Sequence, residues 1–343
     1  MADLPDPYAG FPAAAEDAED PALQALAAVS ARLIARARGA GTLRAYRSAW
    51  TQYVAWCAGL GRAPLAGEPR TVSMYLVAAA QTRAVATLRV HLAAIVTAHR
   101  LAGVALDPRH PRIALVLEGL ARDRAGRPPR QAPPLGTDDL ARLLAVQPEG
   151  PLGLRNRALL LLGFGGALRR SELVALRIGD VRAVPGRGVE LSIRRSKTDP
   201  LGKGAAVAIW AAADPALCAL RATEAWSGLR SRVDPADPEA PFFCGLTRGG
   251  RLTGRVLSDK AVVRLIKDAA HAAGLPDAAR FSGHSLRAGL ATAAAETEAQ
   301  LHDIMRQTRH RSPETARRYM RSRDLWTANV TERLFRPRTP PEA

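Results

Sequence analysis

Cysteine is scarce in this chain of 343 residues, and its scarcity excludes two kinds of protein. Cys57, Cys218 and Cys244 are the three cysteines, and no two of them form a CxxC pair. An odd number of isolated cysteines argues against a disulfide framework, and the missing pairs argue against a zinc site. The sequence therefore predicts reduced intracellular thiols and no bound metal.

Long hydrophobic runs are also missing. No run of about eighteen apolar residues is present to span a bilayer, and no basic start followed by an apolar stretch indicates a signal peptide. A hydrophobic content of 47% is still sufficient for globular cores. We therefore expect a cytoplasmic protein with no membrane partner.

Lysine is rare, whereas arginine is abundant: four Lys accompany 45 Arg. The net charge is +17, and residues 30–130 alone carry 16 Arg against four acidic residues. A field of this sign and strength suits a polyphosphate partner. From charge alone, an arginine-rich solvated surface is the alternative interpretation.

Composition divides the chain into successive segments. Residues 1–21 are rich in Ala, Pro, Asp and Glu, which predicts a disordered acidic leader. Residues 22–123 show helical periodicity and predict a small helical bundle. Residues 124–136 combine four Pro with three Arg and predict an extended linker. A second domain is expected over 137–335, followed by a tail over 336–343.

Local signals place several elements. Thr42 is expected to cap one helix of the bundle, and two further helices are predicted over Ala84–Leu101 and Pro111–Asp123. In the second domain Thr137 is expected to cap a helix, and an apolar helix is predicted over residues 155–164. Alternation of apolar and polar residues predicts strands over Val189–Arg194 and Ala205–Trp210, joined as a hairpin. Three arginines, Arg248, Arg251 and Arg255, are assigned to a glycine-rich loop. The predicted fold class is mainly α with a small β-sheet.

The stretch from residue 281 to 320 concentrates residues suited to phosphate chemistry. His284 and Arg287 are three residues apart, so on one helix they share a face and can converge on an anion. Tyr319 is the only tyrosine after residue 75. Its phenol would form a phosphate ester that is easily reversed, because the phenolate is a good leaving group. Taken alone, a His and an Arg at this spacing are usually a solvated polar face.

The spacing of these residues closely resembles the C-terminal box of the tyrosine recombinase (phage integrase) family. His284-Ser285-Leu286-Arg287 is followed 23 residues later by His310 and nine residues after that by Tyr319. The segment GALRRSEL, residues 166–173, resembles the first box of the family, in which Arg169 is followed three residues on by Glu172. Two positions depart from the pattern: Arg309 replaces a common glycine, and Arg170 replaces a common apolar residue.

The resemblance implies a role for each matched residue. Arg169 and Arg287 would hold the scissile phosphate, and Tyr319 would attack it to give a 3′-phosphotyrosine. His284 and His310 would donate hydrogen bonds to the phosphate, one of them helping to remove the Tyr319 proton, while Glu172 would orient the site.

Lys197 is the expected proton donor to the departing 5′-oxygen. Lysine can release a proton near neutrality, whereas arginine cannot, and both Lys197 and Lys203 lie in the hairpin loop. The hairpin lysine of the family matches Lys197 better. A solvated turn lysine is the alternative.

The resemblance also implies the partners. A helical core-binding bundle and a catalytic domain would form a C-shaped clamp on double-stranded DNA, and four copies would assemble on two DNA sites through a C-terminal helix at 324–335. That helix folding back on its own domain is the competing interpretation. Expected phosphate contacts are Arg44, Arg47, Arg83, Arg89, Arg170 and Arg309. The chemistry would need no metal or other cofactor.

Two alternatives to site-specific recombination are relaxation of DNA by a type IB topoisomerase-like enzyme and non-catalytic regulation by DNA binding.

Overall fold

The computed structural model describes residues 26, 29, 30, 33, 39–125, 132–196, 199, 204–232, 237–297, 299–320 and 330–335. The chain divides into two compact units, Met1–Pro129 and Arg130–Ala343. Their boundary falls within the range predicted as a linker. The predicted leader and tail, 1–21 and 336–343, lie outside the described residues. The C-shaped clamp stays a prediction.

Four helices form the core of the first unit. They are α1 (Ala40–Gly59), α2 (Pro69–Ala80), α3 (Val85–Leu101) and α4 (Pro111–Asp123). Their apolar faces meet in one core, where Tyr53, Leu76, Leu88, Ile95 and Ile113 are almost completely buried. The predicted helices over Ala84–Leu101 and Pro111–Asp123 are thus confirmed to within one residue.

Neither Thr42 nor Thr137 is an N-cap, so both predicted caps are wrong, although the predicted start of a helix at Thr137 is confirmed. Helix α1 begins at Ala40 with Gly39 as N-cap, so Thr42 lies inside its first turn. The first helix of the second unit, α5 (Thr137–Ala145), is capped by Gly136, whose N–H donates to a carboxylate oxygen of Asp139 at 3.2 Å. A helix end tolerates a cap without a side-chain acceptor, because water or a residue of the first turn can satisfy its free N–H groups.

The second unit combines helices with two small antiparallel sheets. Its remaining helices are α6 (Gly150–Gly165), α7 (Arg170–Ala175), α8 (Ala219–Arg230), α9 (Asp259–Ala272), α10 (Gly283–Glu296), α11 (Leu301–Thr308), α12 (Pro313–Met320) and α13 (Val330–Phe335). The strands are β1 (Val181–Val184), β2 (Gly188–Ile193), β3 (Ala205–Trp210), β4 (Cys244–Leu246) and β5 (Leu252–Val256). The first sheet has the order β1-β2-β3, and β4 pairs with β5. The predicted fold class, mainly α with a small β-sheet, is confirmed.

The predicted hairpin is present as β2 and β3, with Val189 opposite Ile209 and Leu191 opposite Val207. Strands β1, β4 and β5 were not predicted. Arg255 lies in β5, and its assignment to a loop is wrong. These strands contain three to five residues each, too few for a clear alternation.

Helix α6 runs through the core of the second unit. Leu159, Leu160 and Leu162 have no exposed surface, and they pack with residues of the first sheet and of helices α8, α9 and α10. The helix ends at Gly165, with Gly166 as C-cap. The packing of α6 in the core therefore fixes the start of the loop that follows. None of the described helices has both the length and the apolar character needed to cross a membrane.

Candidate active site

The site is built around the loop that leaves α6, because successive backbone carbonyls of this loop bind side chains from distant segments. The Gly165 carbonyl accepts a hydrogen bond from Gln307 Nε2 at 2.7 Å, and the Gly166 carbonyl accepts one from Arg309 Nη1 at 3.0 Å. The Ala167 carbonyl accepts from Arg287 Nη1 at 2.7 Å and from Arg309 Nη2 at 3.2 Å. The carbonyl end of a helix is its negative pole, which suits guanidinium groups.

Ala167 adopts a left-handed conformation, with φ at 45°. Leu168 N then donates to the Gly163 carbonyl at 3.0 Å, which closes the end of α6. A residue with a Cβ seldom adopts this conformation, so the surrounding contacts must hold it. The turn delivers the chain to Arg169, the N-cap residue of α7.

Glu172 is a buried carboxylate between two guanidinium groups. Its Oε1 accepts from Arg169 Nη1 at 2.6 Å, and its Oε2 accepts from Arg309 Nη2 and from the Arg169 backbone N–H, both at 2.9 Å. Burial acts to raise the pKa of Glu172, but the hydrogen bonds from Arg169 and the charge of Arg309 outweigh it and lower the pKa. Glu172 therefore stays ionised and binds Arg169 through both its side chain and its backbone N–H, and the orienting role expected for it stays a prediction.

Arg309 has an internal role. It lies just after α11 in a left-handed conformation, with φ at 56°, and its side chain is 10% exposed. Both Nη atoms are occupied by the Gly166 and Ala167 carbonyls and by Glu172. The DNA phosphate contact expected for Arg309 does not fit this placement, since its guanidinium points into the chain.

Helix α10 presents His284 and Arg287. It begins at Gly283, where the Ser282 hydroxyl accepts from the His284 backbone N–H at 3.2 Å. Arg287 is 1% exposed, whereas His284 lies at the surface. Reduced hydration by the surrounding protein, together with the charges of Arg287 and Arg169, lowers the pKa of His284.

His310 follows α11 and faces the same group of charges. Burial, with the nearby charges of Arg287, Arg169, His284 and Arg309, lowers its pKa to about 4. The imidazole is therefore neutral near pH 7. Its Nδ1 lies 2.8 Å from the hydroxyl of Thr308, the last residue of α11.

The remaining predicted residues lie outside this group. Arg170 is exposed and pairs through Nε with Asp259 at 3.1 Å. Arg44, Arg47 and Arg89 are exposed on α1 and α3 of the first unit, and Arg83 is half-buried with its Nη2 donating to Gln52. Lys197 and the side chain of Tyr319 lie outside the described residues, although the backbone of Tyr319 belongs to α12.

Sequence reasoning missed Ala167, Gln307 and Thr308. Ala167 contributes a backbone carbonyl, Gln307 a side-chain amide and Thr308 a hydroxyl. Tertiary contacts place these groups, and no local sequence pattern predicts them. Arg309 departs from the family pattern, which was the available signal, but the residue was predicted to contact a DNA phosphate. Across the described ranges, no three His, Cys, Asp or Glu side chains are grouped as a metal site requires.

Comparison with known proteins identifies the family. The sequence model of the phage integrase family matches residues 134–325. An integrase/recombinase xerD homolog of Selenomonas ruminantium is 33% identical over 308 residues, which cover 89% of this chain and 88% of that protein.

Solved structures share the fold. The XerH site-specific recombinase, in a post-cleavage complex with palindromic difH substrate, aligns with a TM-score of 0.61 and 15% identity over 90% of this chain and 84% of that one. A lambda integrase dimer bound to a COC′ core site aligns with a TM-score of 0.55 and 20% identity over 87% and 95%. Together with the two sequence boxes and the site assembled from them, these matches show that the chain belongs to the phage integrase family and is a site-specific recombinase of the tyrosine type.

Proposed function

We propose that this recombinase breaks and rejoins double-stranded DNA through a 3′-phosphotyrosine at Tyr319, without a metal or ATP. The observation that carries the proposal is the convergence of Arg169, Arg287, His284 and His310 from three separate segments. The charges of Arg169 and Arg287 lower the pKa of both histidines, so all four groups share one electrostatic environment. Such a concentration of cations suits a phosphodiester whose negative charge grows in the transition state.

The residues divide the reaction among them. Arg169 and Arg287 hold the non-bridging oxygens of the scissile phosphate, and Glu172 keeps Arg169 in place. The Tyr319 oxygen forms a bond to phosphorus as the bond from phosphorus to the 5′-oxygen breaks, and Lys197 gives that oxygen a proton. A 5′-hydroxyl from another strand then attacks the phosphotyrosine and reverses the chemistry. The ester retains the bond energy, so no ATP is required.

The first unit supplies a basic surface for the DNA backbone. Arg44, Arg47 and Arg89 are exposed on α1 and α3. Exposed guanidinium groups bind phosphates and release counterions, which gives affinity without reading sequence. Arg170 in the second unit is exposed beside the catalytic group, and its pair with the half-exposed Asp259 is weak enough for a phosphate to replace.

We further propose that four copies assemble on two DNA sites, each placing its segment 324–335 in a groove of a neighbour. Helix α13 carries Leu334 and Phe335, whose side chains are 71% and 79% exposed. A cleft of about 680 Å³ lies between β3 and helices α10 and α11, lined by apolar residues such as Trp210, Leu290 and Ile304. Glu190 and Asp303 also line the cleft, and each pairs with an arginine, Arg182 and Arg306, so their charges are compensated. The apolar lining of the cleft and the exposed apolar residues of α13 favour this segment as the occupant.

Trapping of the covalent intermediate tests the chemistry. The protein is incubated with nicked duplexes from its own genomic neighbourhood, denatured and examined for a protein–DNA adduct. We expect an adduct with the wild type and none with Tyr319→Phe, because phenylalanine lacks the attacking oxygen. An adduct with both proteins would show that another residue attacks. Its absence from the wild type, while sequence-specific binding persists, would favour the non-catalytic regulator.

A further inference from the structure

Arg309 stands where the family commonly has glycine, and its backbone keeps the conformation that suits glycine. With φ at 56°, it lies in the left-handed region, which a residue with a Cβ seldom adopts. Its side chain is 10% exposed. An arginine that is both strained and buried needs compensating contacts, and four oxygen atoms supply them.

The guanidinium of Arg309 joins three parts of the second unit. Its Nη1 donates to the Gly166 carbonyl at 3.0 Å and to the Gln307 carbonyl at 3.1 Å. Its Nη2 donates to the Ala167 carbonyl at 3.2 Å and to Glu172 Oε2 at 2.9 Å. One rigid planar group therefore binds the loop after α6, the end of α11 and the buried carboxylate of α7.

Two of these acceptor residues also bind the arginines expected to hold the phosphate. Glu172 accepts from Arg169 twice, from the side-chain Nη1 at 2.6 Å and from the backbone N–H at 2.9 Å. The Ala167 carbonyl accepts from Arg287 Nη1 at 2.7 Å. A carbonyl oxygen has two lone pairs, so it can serve Arg287 and Arg309 together. Each of the two phosphate-site arginines thus shares an acceptor residue with Arg309.

We propose that Arg309 is a positioning residue that sets the spacing of Arg169 and Arg287, because its guanidinium joins the acceptor residue of one to that of the other. The inference rests on the proposed phosphate-binding role of these two arginines. Without the Arg309 guanidinium, the Glu172 carboxylate and the Ala167 carbonyl lose their common partner, and each can shift with the arginine that it binds. A small displacement of the groups that hold a reacting phosphate is sufficient to slow the reaction.

Cleavage and binding of the nicked duplex are measured separately in Arg309→Gly. This change restores the common residue of the family in a backbone conformation that suits it, so the guanidinium is what is lost. We expect the cleavage rate at saturating DNA to fall about ten- to a hundredfold. Arg142→Ala is the matched control and should cleave like the wild type. Arg142 is exposed, and its Nη2 also donates to a helix-end carbonyl, that of Ala273 at 2.7 Å.

The salt dependence of DNA affinity separates positioning from direct contact. Arg309→Gly should keep the slope of the wild type, because its guanidinium touches protein oxygens and no DNA phosphate. Arg170→Ala, at an exposed candidate contact, should lower the slope by about one. A loss of about one from the slope of Arg309→Gly would assign Arg309 to the DNA and overturn the proposal.

Two further measurements separate the bridge from the charge. Guanidinium ion should raise the cleavage rate of Arg309→Gly, since it can occupy the space left by the side chain, whereas KCl at the same concentration should not. Arg309→Lys keeps the charge, but its three N–H donors lie on one atom and cannot reproduce the planar fork, so its rate should stay well below that of the wild type. Equal effects of the two salts, or wild-type cleavage by Arg309→Lys or Arg309→Gly, would reject the bridge.

Thermal unfolding tests the same contacts without DNA or Tyr319. It first shows that each variant is folded at the assay temperature. Millimolar guanidinium, compared with KCl, should then raise the unfolding midpoint of Arg309→Gly and leave that of the wild type unchanged. An equal response of the two proteins would overturn the proposal. Failure of the proposed function would look different, because the wild type would then form no adduct while this shift still reported the buried contacts.

Discussion

Glu172 shows how a single buried charge can organise a cationic site. Its carboxylate is 1% exposed and binds Arg169, the N-cap of α7, and Arg309, which follows α11. Burying an unpaired charge costs free energy because the charge loses its hydration. Here the two cations and the carboxylate attract one another, which offsets part of that cost. Arg309 thereby links His310 to the turn that carries Arg169.

Replacing Glu172 by glutamine should lower the free energy of unfolding by about 3 kcal/mol, because it leaves two largely buried guanidinium groups without their counter-charge. Asp277→Asn is the matched control. Asp277 also pairs with an arginine three residues away, Arg280, but both side chains are more than half exposed. The control should cost less than about 1 kcal/mol. Denaturant unfolding of the three proteins measures the difference.

The pH dependence gives a further check on Glu172. Its pKa is lowered in the folded state, so its contribution is present above its ordinary value of 4.5 and disappears as the pH falls through the lowered value. The difference between wild type and Glu172→Gln should stay constant from pH 7 to 5 and shrink only below that range. Shrinkage already between pH 7 and 5 would contradict the ionised pair.

Residue identity was easier to predict than residue environment. The spacing of His284, Arg287 and His310 predicted that they share one site, and the structure brings them together. Helical periodicity and family spacing are local properties of the sequence, whereas their catalytic roles stay predictions. The inward direction of Arg309 depends on a left-handed turn and on carbonyls about 140 residues earlier in the chain. Such long-range contacts leave no local pattern.

At the scale of elements, Gly289 fixes the position of α10. A Cβ at this residue would lie 1.9 Å from the Leu135 carbonyl oxygen and 2.8 Å from its carbonyl carbon. The Leu135 N–H also donates to the Ser285 carbonyl at 3.1 Å. The segment before α5 thus runs directly against the helix that carries His284 and Arg287.

Gly289→Ala should therefore destabilise the second unit by about 1–3 kcal/mol and reduce adduct formation, because α10 must move away from a backbone that cannot yield. Gly228→Ala, in the exposed face of α8, is the control. A Cβ there meets nothing within 4 Å, so the change should stabilise by about 0.5–1 kcal/mol through helix propensity. Thermal unfolding and adduct yield of both variants would be compared. A stabilising Gly289→Ala would refute the close approach.

Element prediction succeeded where the periodic segments were long. Pro111–Asp123 was predicted to the residue, since a proline opens the helix and its apolar face repeats over three turns. Strand β1, with four residues, and the β4–β5 pair offered too short a pattern. The caps at Gly39 and Gly136 were missed because no side chain marks them.

At the scale of the whole molecule, charge is distributed in keeping with the expected partner. Exposed arginines lie on the first unit, and the second unit surrounds Arg169 and Arg287 with a buried carboxylate and helix-end carbonyls. Both arrangements offer positive charge to phosphate, the first at the surface and the second inside a site. In the proposed function, the separation of the two cationic regions from helix α13 lets one copy bind and cleave DNA, whereas exchange between two duplexes requires copies to be joined.

This separation gives a prediction for the C-terminal segment. Phe335→Asp places a charge on an exposed aromatic position of α13, and it should prevent docking into the apolar cleft of a neighbour. Adduct formation should continue, while tetramers on DNA and strand exchange between two duplexes should be lost. Native gels and a two-duplex recombination assay measure these outcomes separately.

Leu60→Asp, at another exposed apolar residue, is the control and should recombine normally. If Phe335→Asp also recombined normally, the segment would not join the copies, and packing on its own domain would become the better interpretation.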